Sequence, residues 1–360
     1  MSNNNNFGKE DKLNEIKNIK NKIEEEKTNN NEKIFNSSNI LNITRSYSRW
    51  GLDNTFTIIN FDGISYIIYA TINKSIISYN INDEKISIEI KNAHQDDITN
   101  FRHFHKKNTN KFIIMSVEGY ERNIKLWDFM NWNCILSLSS IYRTGLIFSS
   151  CFIEENDNNY IITSCSSENE EIKIFDFSGI FIKSLKDSKE KTLYVDILFL
   201  KKNDKLYIIS GNDGNVKSYD YYDNKLYHTY NDHADSWHCS IKTLYEGDIV
   251  KLIDSCWKDD YIRIWDFNEG ILLNKIRTNG INIKCMYIYN EDIIFVGCHD
   301  NSIRLIDIKN EKIIKTFLGH KNWVCSINKV THPKNGECLI SQGLGKDEMI
   351  KIWIGFFKWK

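Results

Sequence analysis

The sequence predicts an all-β fold: a seven-bladed β-propeller of four-stranded antiparallel blades, its ring closed by an N-terminal strand that completes the last blade. Three observations carry this prediction. First, a short unit recurs, built from a β-branched residue, a polar or basic one, an apolar one, an aromatic and Asp. It reads IISYN (76–80), IKLWD (124–128), IKIFD (172–176), VKSYD (216–220), IRIWD (262–266), IRLID (303–307) and IKIWI (350–354), with single departures from the pattern. Second, successive copies start 48, 48, 44, 46, 41 and 47 residues apart, close to the period of about 40–45 residues that one four-stranded blade occupies. Third, apolar residues around each copy alternate with polar ones and are punctuated by turns, while no 3.6-residue period survives beyond the N-terminal tail.

Each copy has the same neighbours. An apolar run precedes it: YIIYAT, FIIMS, YIITSC, LYIISG, VKLIDSC, IIFVGC or CLISQG. A short polar turn joins the two, such as GNDGN (211–215) or KDD (258–260), and a further alternating run follows the Asp, such as CILSLSS (134–140) or KIIKTFLG (312–319). Runs of this length with this punctuation are antiparallel strands. Blades are expected over residues 50–91, 92–140, 141–187, 188–230, 231–277, 278–316 and 317–357, within a propeller spanning 36–360.

Residues 1–35 differ in kind. They are dominated by Asn, Lys and Glu, and cannot bury enough apolar area to offset their ordering entropy. Leu13, Ile16, Ile19 and Ile23 fall at helical spacing, so the tail is expected to be disordered or partly helical. Its lysines and acidic residues balance, which argues against a basic arm for nucleic acid. The whole chain is balanced too: 47 basic and 48 acidic side chains leave a net charge of −1. No global field draws it to nucleic acid or to an anionic membrane. The start MSNNNNFGKEDKLNE lacks the apolar core of a secretory signal, and no stretch approaches a membrane span. Nine cysteines, with no C-x-x-C pair, read as buried free thiols of a reducing compartment. The expected residence is intracellular, cytoplasmic before nuclear.

The recurring aromatic-Asp units resemble the WD-repeat family over about residues 38–357. The resemblance implies a buried tetrad in each regular blade: a His after Gly before the first strand, a Ser or Thr on the second, an Asp in the following turn and a Trp on the third. Blade seven offers Gly319-His320, Ser341, Asp347 and Trp353. Blade five offers His233, Ser255, Asp259 and Trp265, and blade two offers His94, Ser116, Glu121 and Trp127. Asp213, Asp300 and Asn169 hold the turn position in blades four, six and three. Blade one departs most, with Tyr79-Asn80 in place of Trp-Asp; blade six has Ile306 for the Trp, and blade seven ends in Ile354 in place of the Asp. Family rings take the outer strand of the last blade from the N-terminal end, and NILNITRSY (39–47) is placed to supply it.

The same resemblance implies a non-catalytic scaffold. His94, His233 and His320 read as structural, while His238 and Cys239, adjacent on a strand, point to opposite faces and cannot act as a pair. His103 and His105 share a face but supply only two ligands, so no metal, cofactor or catalytic residue is assigned. With apolar residues committed to contacts between sheets, binding must sit on loops. The family's usual recognition face would carry Tyr120, Arg143, Glu168, Asn212, Trp237, Trp257, Lys258, His299, Trp323 and Lys346. Trp257 is the most telling, an indole in a polar turn. The opposite face carries a modest basic cluster in 101–111, 201–205 and 331–337. One or more protein partners are expected for a monomeric propeller. A ligand- or lipid-binding propeller is demoted because the Phe-Arg-Arg-Gly signature is absent, and a ubiquitin-ligase substrate receptor because Met130 and Asn268 stand where such receptors carry Arg.

Overall fold

A computed structural model describes residues 40–45, 54–155, 158–166, 171–185, 196–212, 214–233, 238–257, 259–345 and 349–355. The tail over 1–35 lies outside them. The described strands form seven four-stranded antiparallel sheets. Within each sheet the strands, here a to d, pair in chain order. Blade one runs Phe56–Phe61, Ile64–Ala70, Ile76–Asn80 and Lys85–Ile90. Blade two runs Ile98–Lys106, Lys111–Glu118, Asn123–Asp128 and Cys134–Leu138. Blade three is Ile147–Glu155, Asn158–Cys165, Ile172–Asp176 and Phe181–Leu185; blade four is Asp196–Lys202, Lys205–Gly211, Val216–Asp220 and Lys225–Tyr230. Blade five is His238–Glu246, Ile249–Cys256, Tyr261–Asp266 and Leu272–Arg277, and blade six is Ile283–Ile288, Ile293–Cys298, Ser302–Asp307 and Lys312–Leu318.

Blade seven has Val324–His332, Gly336–Gly343 and Met349–Trp353, and its fourth strand is Ile40–Arg45 from the other end of the chain. Ile40 stands opposite Trp353, Leu41 opposite Ile352 and Asn42 opposite Lys351. Lys351 Nζ donates to Asn42 Oδ1 across 2.9 Å. The strand also explains Gly319: a Cβ there would lie 2.9 Å from Ile40 Cδ1 and 3.0 Å from Trp353 Cη2.

The repeat Asp has a local task. It is the last residue of strand c, and its side chain closes the c–d hairpin. Asp128 Oδ1 accepts from Met130 N, Asp176 Oδ1 from Ser178 N, Asp220 Oδ1 from Tyr222 N, Asp266 Oδ1 from Asn268 N and Asp307 Oδ1 from Asn310 N, all within 2.7–2.9 Å. These are Asx turns. Asn80 does the same in blade one, accepting from Asn82 N at 2.8 Å, so Tyr79-Asn80 is an equivalent of Trp-Asp and not a defect. In blade seven strand d is not reached by a hairpin, and Ile354 is free to pack against the seam with blade one.

Among the described residues the core is seven clusters, one between each pair of neighbouring blades. Ile208 and Tyr219 of blade four meet Ile162 and Ile174 of blade three, and Ile253 and Ile264 of blade five meet Ile294 and Val296 of blade six. The closing seam joins Ile67, Tyr69 and Ile77 of blade one to Val330, Ile340 and Ile352 of blade seven. Thr55 Oγ1 adds a hydrogen bond of 2.8 Å to Gln342 Oε1 across it. All nine cysteines are free, and seven of them are buried.

Deleting residues 36–48 leaves strand Met349–Trp353 as an open edge and uncovers Trp353, now 0% exposed. The expected outcome is a lower melting temperature or aggregation on heating, read by scanning fluorimetry with light scattering. An unchanged melt contradicts this mode of closure.

Candidate interaction surface

The loops at one end of the ring are tied to the sheets by buried polar clusters. In blade two, His94 Nε2 lies 2.7 Å from Ser116 Oγ, which also accepts from Trp127 Nε1 at 2.8 Å. The acid is Glu118 and not Glu121. Glu118, the last residue of strand b and fully buried, lies 3.3 Å from His94 Nδ1 and takes Asn123 Nδ2 at 2.8 Å. Glu121 stands exposed in the turn. A carboxylate at Nδ1 requires the proton there, so Nε2 accepts from the serine hydroxyl. Blade seven repeats the core of this arrangement: His320 Nε2 is 2.7 Å from Ser341 Oγ, and Trp353 Nε1 donates to the same oxygen at 2.8 Å. Asp347 lies outside the described residues.

Blade five differs from the expectation at two positions. The residue between His and Trp is Asp254, not Ser255: His233 Nε2 is 2.8 Å from Asp254 Oδ1, and Trp265 Nε1 donates to Oδ2. The register shows why. Asp254 stands opposite Ile241 as Ser341 stands opposite Ile327, and a one-residue step along a strand turns a side chain to the other face. Asp259 does not reach His233; it accepts Arg263 Nη2 at 2.5 Å, and Asp300 accepts Arg304 Nη2 at 2.6 Å in the same way in blade six. Asp213 and Asn169 lie outside the described residues.

On the end that these clusters hold, Trp257, His299 and Trp323 converge although they come from blade five, blade six and the loop into blade seven. Lys284, on strand a of blade six, joins them. Its Nζ lies 5.0 Å from the Trp257 ring and 5.3 Å from the Trp323 ring, and the His299 and Trp323 rings are 3.5 Å apart. Lys284 is buried while the three rings are half-buried, so an ammonium is enclosed by indoles that remain open on one side. Burial and the neighbouring Lys284 charge hold His299 below its ordinary pKa. Sequence reasoning missed Lys284 because it sits inside an alternating strand, INIKCMYI, where a lysine reads as an outward residue.

The other expected residues scatter. Tyr120 is half-buried and Arg143 exposed, and neither joins the cluster around Lys284. Asn212 does not project at all. It is fully buried, and its side chain bonds Ser210 and Asn215 at 3.2 and 3.0 Å, because the b–c turn of blade four needs its amide. Glu168, Trp237, Lys258 and Lys346 lie outside the described residues. At the opposite end the basic cluster is partly engaged: Lys334 pairs with Glu84 at 3.2 Å, and Lys202 donates to Asn268 at 2.5 Å. His103 bonds Thr57 and His105 bonds Asn110, so they do not act as one chelating pair.

The model of the WD domain, G-beta repeat family matches residues 311–353, the last strand of blade six through the third of blade seven. The chain is a seven-bladed β-propeller whose matched segment is similar to a WD repeat. Among its relatives is the U3 small nucleolar RNA-associated protein 21 homolog of Schizosaccharomyces pombe, 28% identical over 95 residues, which are 26% of this chain and 10% of that protein. Autophagy-related protein 16 of Arabidopsis thaliana is 26% identical over 178 residues, 48% of this chain and 32% of its own. The COMPASS component SWD3 of Saccharomyces cerevisiae is 28% identical over 102 residues, 26% of this chain and 32% of its own. The matches thus span less than a third of these relatives' length. Their names reach from small nucleolar RNA to autophagy, which gives a cytoplasmic residence no preference over a nuclear one.

The buried histidines of this ring are expected to make it sensitive to acid. His238, 2% exposed and beside Asp254, His233, Arg263 and Cys256, is pushed down to about 3 by burial, from 6.5. His94 is lowered by burial too. The unfolded chain therefore binds more protons over this range, and the stability His238 contributes is full above pH 6.5 and is lost as pH falls toward 3. Urea melts in the presence of a chelator are expected to show stability falling from pH 6.5 downward, less steeply in His238→Val. Identical slopes would show that His238 is protonated freely in the folded state.

Proposed function

We propose that this chain is a non-catalytic protein-interaction scaffold or assembly subunit, and that it receives a protein partner on the end carrying Trp257, Lys284, His299 and Trp323. The propeller over residues 36–360 acts as the platform, with the segment 1–35 as a separate appendage. The observation that supports this reading is the enclosed ammonium. Half-buried indoles around a lysine give a partner apolar area together with a charge, the combination found at interface anchors. The sheets themselves leave little else, since their faces are committed to the seven seams. The names of the relatives agree with a role in assemblies: one is a component of COMPASS and one is associated with a small nucleolar RNA.

The experiment compares partners recovered from the native cell by the wild type, Trp257→Ala, Trp323→Ala and Lys334→Ala, each first shown to melt as the wild type does. Trp257→Ala and Trp323→Ala are expected to lose the same partners by about tenfold or more, the effect of about 1.4 kcal/mol at an anchor. Lys334→Ala, at the opposite end, is expected to retain them. Equal recovery by all four proteins overturns the reading.

A further inference from the structure

Blade five holds a group of side chains that the scaffold reading does not use. One nitrogen from each of His233 and His238, a carboxylate oxygen of Asp254 and the Sγ of Cys256 all lie within 4.8 Å of one another. His238, Asp254 and Cys256 are buried, each 2% exposed or less. The four come together by register. His238 opens strand a directly opposite Cys256, the last residue of strand b, and His238 Nε2 lies 3.5 Å from Cys256 Sγ. Asp254, two residues back on strand b, faces the same side and meets His233 at 2.8 Å.

The other blades show what this position ordinarily holds. The first residue of strand a, paired across to the end of strand b, is Ile98 in blade two, Ile147 in blade three, Ile283 in blade six and Val324 in blade seven. Blade four has Asp196, which is satisfied by Ser149 Oγ at 3.0 Å and Ile241 N at 3.0 Å. In blade five an imidazole replaces the aliphatic residue, and a carboxylate replaces the serine hydroxyl that blades two and seven use. Neither exchange improves the blade as a blade. The Nδ1 atoms of both His233 and His238 are buried with no hydrogen-bond partner, an expensive condition for a ring nitrogen.

We propose that His233, His238, Asp254 and Cys256 form a structural site for a divalent transition-metal cation of the zinc class, which fastens the loop before blade five to the end of its second strand. The donor set is two imidazoles, one thiolate and one carboxylate. Mixed nitrogen and sulfur ligation in a four-donor set suits Zn²⁺, and four protein donors leave no open position for chemistry. With Zn–N near 2.0–2.1 Å and Zn–S near 2.3 Å, the edges of such a tetrahedron are about 3.3–3.6 Å, so the longest separation has to close by about 1.2 Å. Charge balances. Asp254 and the Cys256 thiolate together carry −2, and the neighbouring Arg263 is already paired to Asp259 at 2.5 Å and Asp232 at 3.0 Å. Burial, and then the Asp254 charge, hold the Cys256 thiol protonated without a cation. Binding therefore transfers that proton to solvent and forms the metal–sulfur bond.

The test uses the full chain, stripped with a chelator, dialysed and titrated first with Co²⁺ and then with Zn²⁺. One equivalent of Co²⁺ is expected to give tetrahedral d–d bands with a thiolate-to-cobalt charge-transfer band, and one equivalent of Zn²⁺ to abolish both and raise the melting temperature. Cys256→Ser should lose the charge-transfer band. His238→Val, which installs the residue of blade seven, should weaken Zn²⁺ binding by about 100-fold or more, at least the loss seen when an outer-shell partner is removed. A wild type without the charge-transfer band overturns the proposal. So does a band that persists in Cys256→Ser, which would arise from another of the nine cysteines, or an affinity unchanged in His238→Val. Circular dichroism of the metal-free proteins verifies that both variants fold; where His238→Val does not, Cys256→Ser decides alone.

Discussion

Every blade of this ring is a sheet whose two faces must both be covered, and no blade can cover its own. The apolar seams between neighbours supply that cover, and each seam needs both of its blades. A fully buried Ile is worth about 1.5–3 kcal/mol relative to an exposed one, and a single seam holds several, such as Ile67, Ile340 and Ile350 between blades one and seven. The chain crosses that seam from Ile40–Arg45 of blade seven to Phe56–Phe61 of blade one, so the break in the ring lies inside blade seven, beside Met349–Trp353. Strand Ile40–Arg45 closes it by pairing with Met349–Trp353, so that the first and last parts of the sequence belong to one sheet. Ring closure is thus a long-range pairing supported by local packing on both sides, and the edge strands that a linear array would expose are removed.

Within this frame the buried polar groups act as ties between loops and sheets. A Trp indole and a His imidazole converge on one oxygen of strand b, and the loop before the blade is fixed to its third strand by two hydrogen bonds. Blades two and seven use a serine oxygen for this. Blade five uses a carboxylate, which can accept from both rings on separate oxygens. The exchange is tolerable because the carboxylate keeps its partners: burial would raise Asp254, yet the bonds from His233 and Trp265 and the nearby histidines hold it below the usual carboxylate range. Blade three anchors the same region by a tyrosine instead: Tyr142 Oη donates to Thr163 O at 2.5 Å.

What could be read from the sequence follows from which features are local. The aromatic-Asp units lie on strand c because alternation and the Asx turn are properties of neighbouring residues, and IISYN coincides with Ile76–Asn80 in full. The closing strand was legible as well, through the family resemblance, which implies that the N-terminal end supplies the last blade's outer strand. The tetrad acids were not. Their placement depends on a one-residue offset in strand b that turns the chain face about, and on side-chain length, which lets Glu118 reach His94 from the strand end where the turn residue Glu121 cannot. Spacing alone did not carry the answer either: the interval from the strand-b oxygen to the Trp is 11 residues in blades two and five and 12 in blade seven. Lys284 and Cys256 were invisible for another reason. Lys284 meets its indoles across two blade boundaries, and Cys256 meets His238 across a strand pair whose register shifts between His238 and Ser240.

The two unusual features of the ring adjoin in the chain. Cys256 ends strand b of blade five, and the next residue is Trp257, one wall of the enclosure around Lys284. Each side chain that has to be fixed on binding costs about 0.5–1.5 kcal/mol of affinity. A cation held by Cys256 and Asp254 would pin the backbone from which Trp257 projects, while His233 and His238 would pin the loop beside it. The interaction surface would then be organised before the partner arrives. In this arrangement the metal-binding set need not touch the partner to matter to it. It would act through the position of one indole, and it would explain why His238 and Asp254 stand in blade five while Val324 and Ser341 suffice in blade seven, where no tryptophan follows strand b.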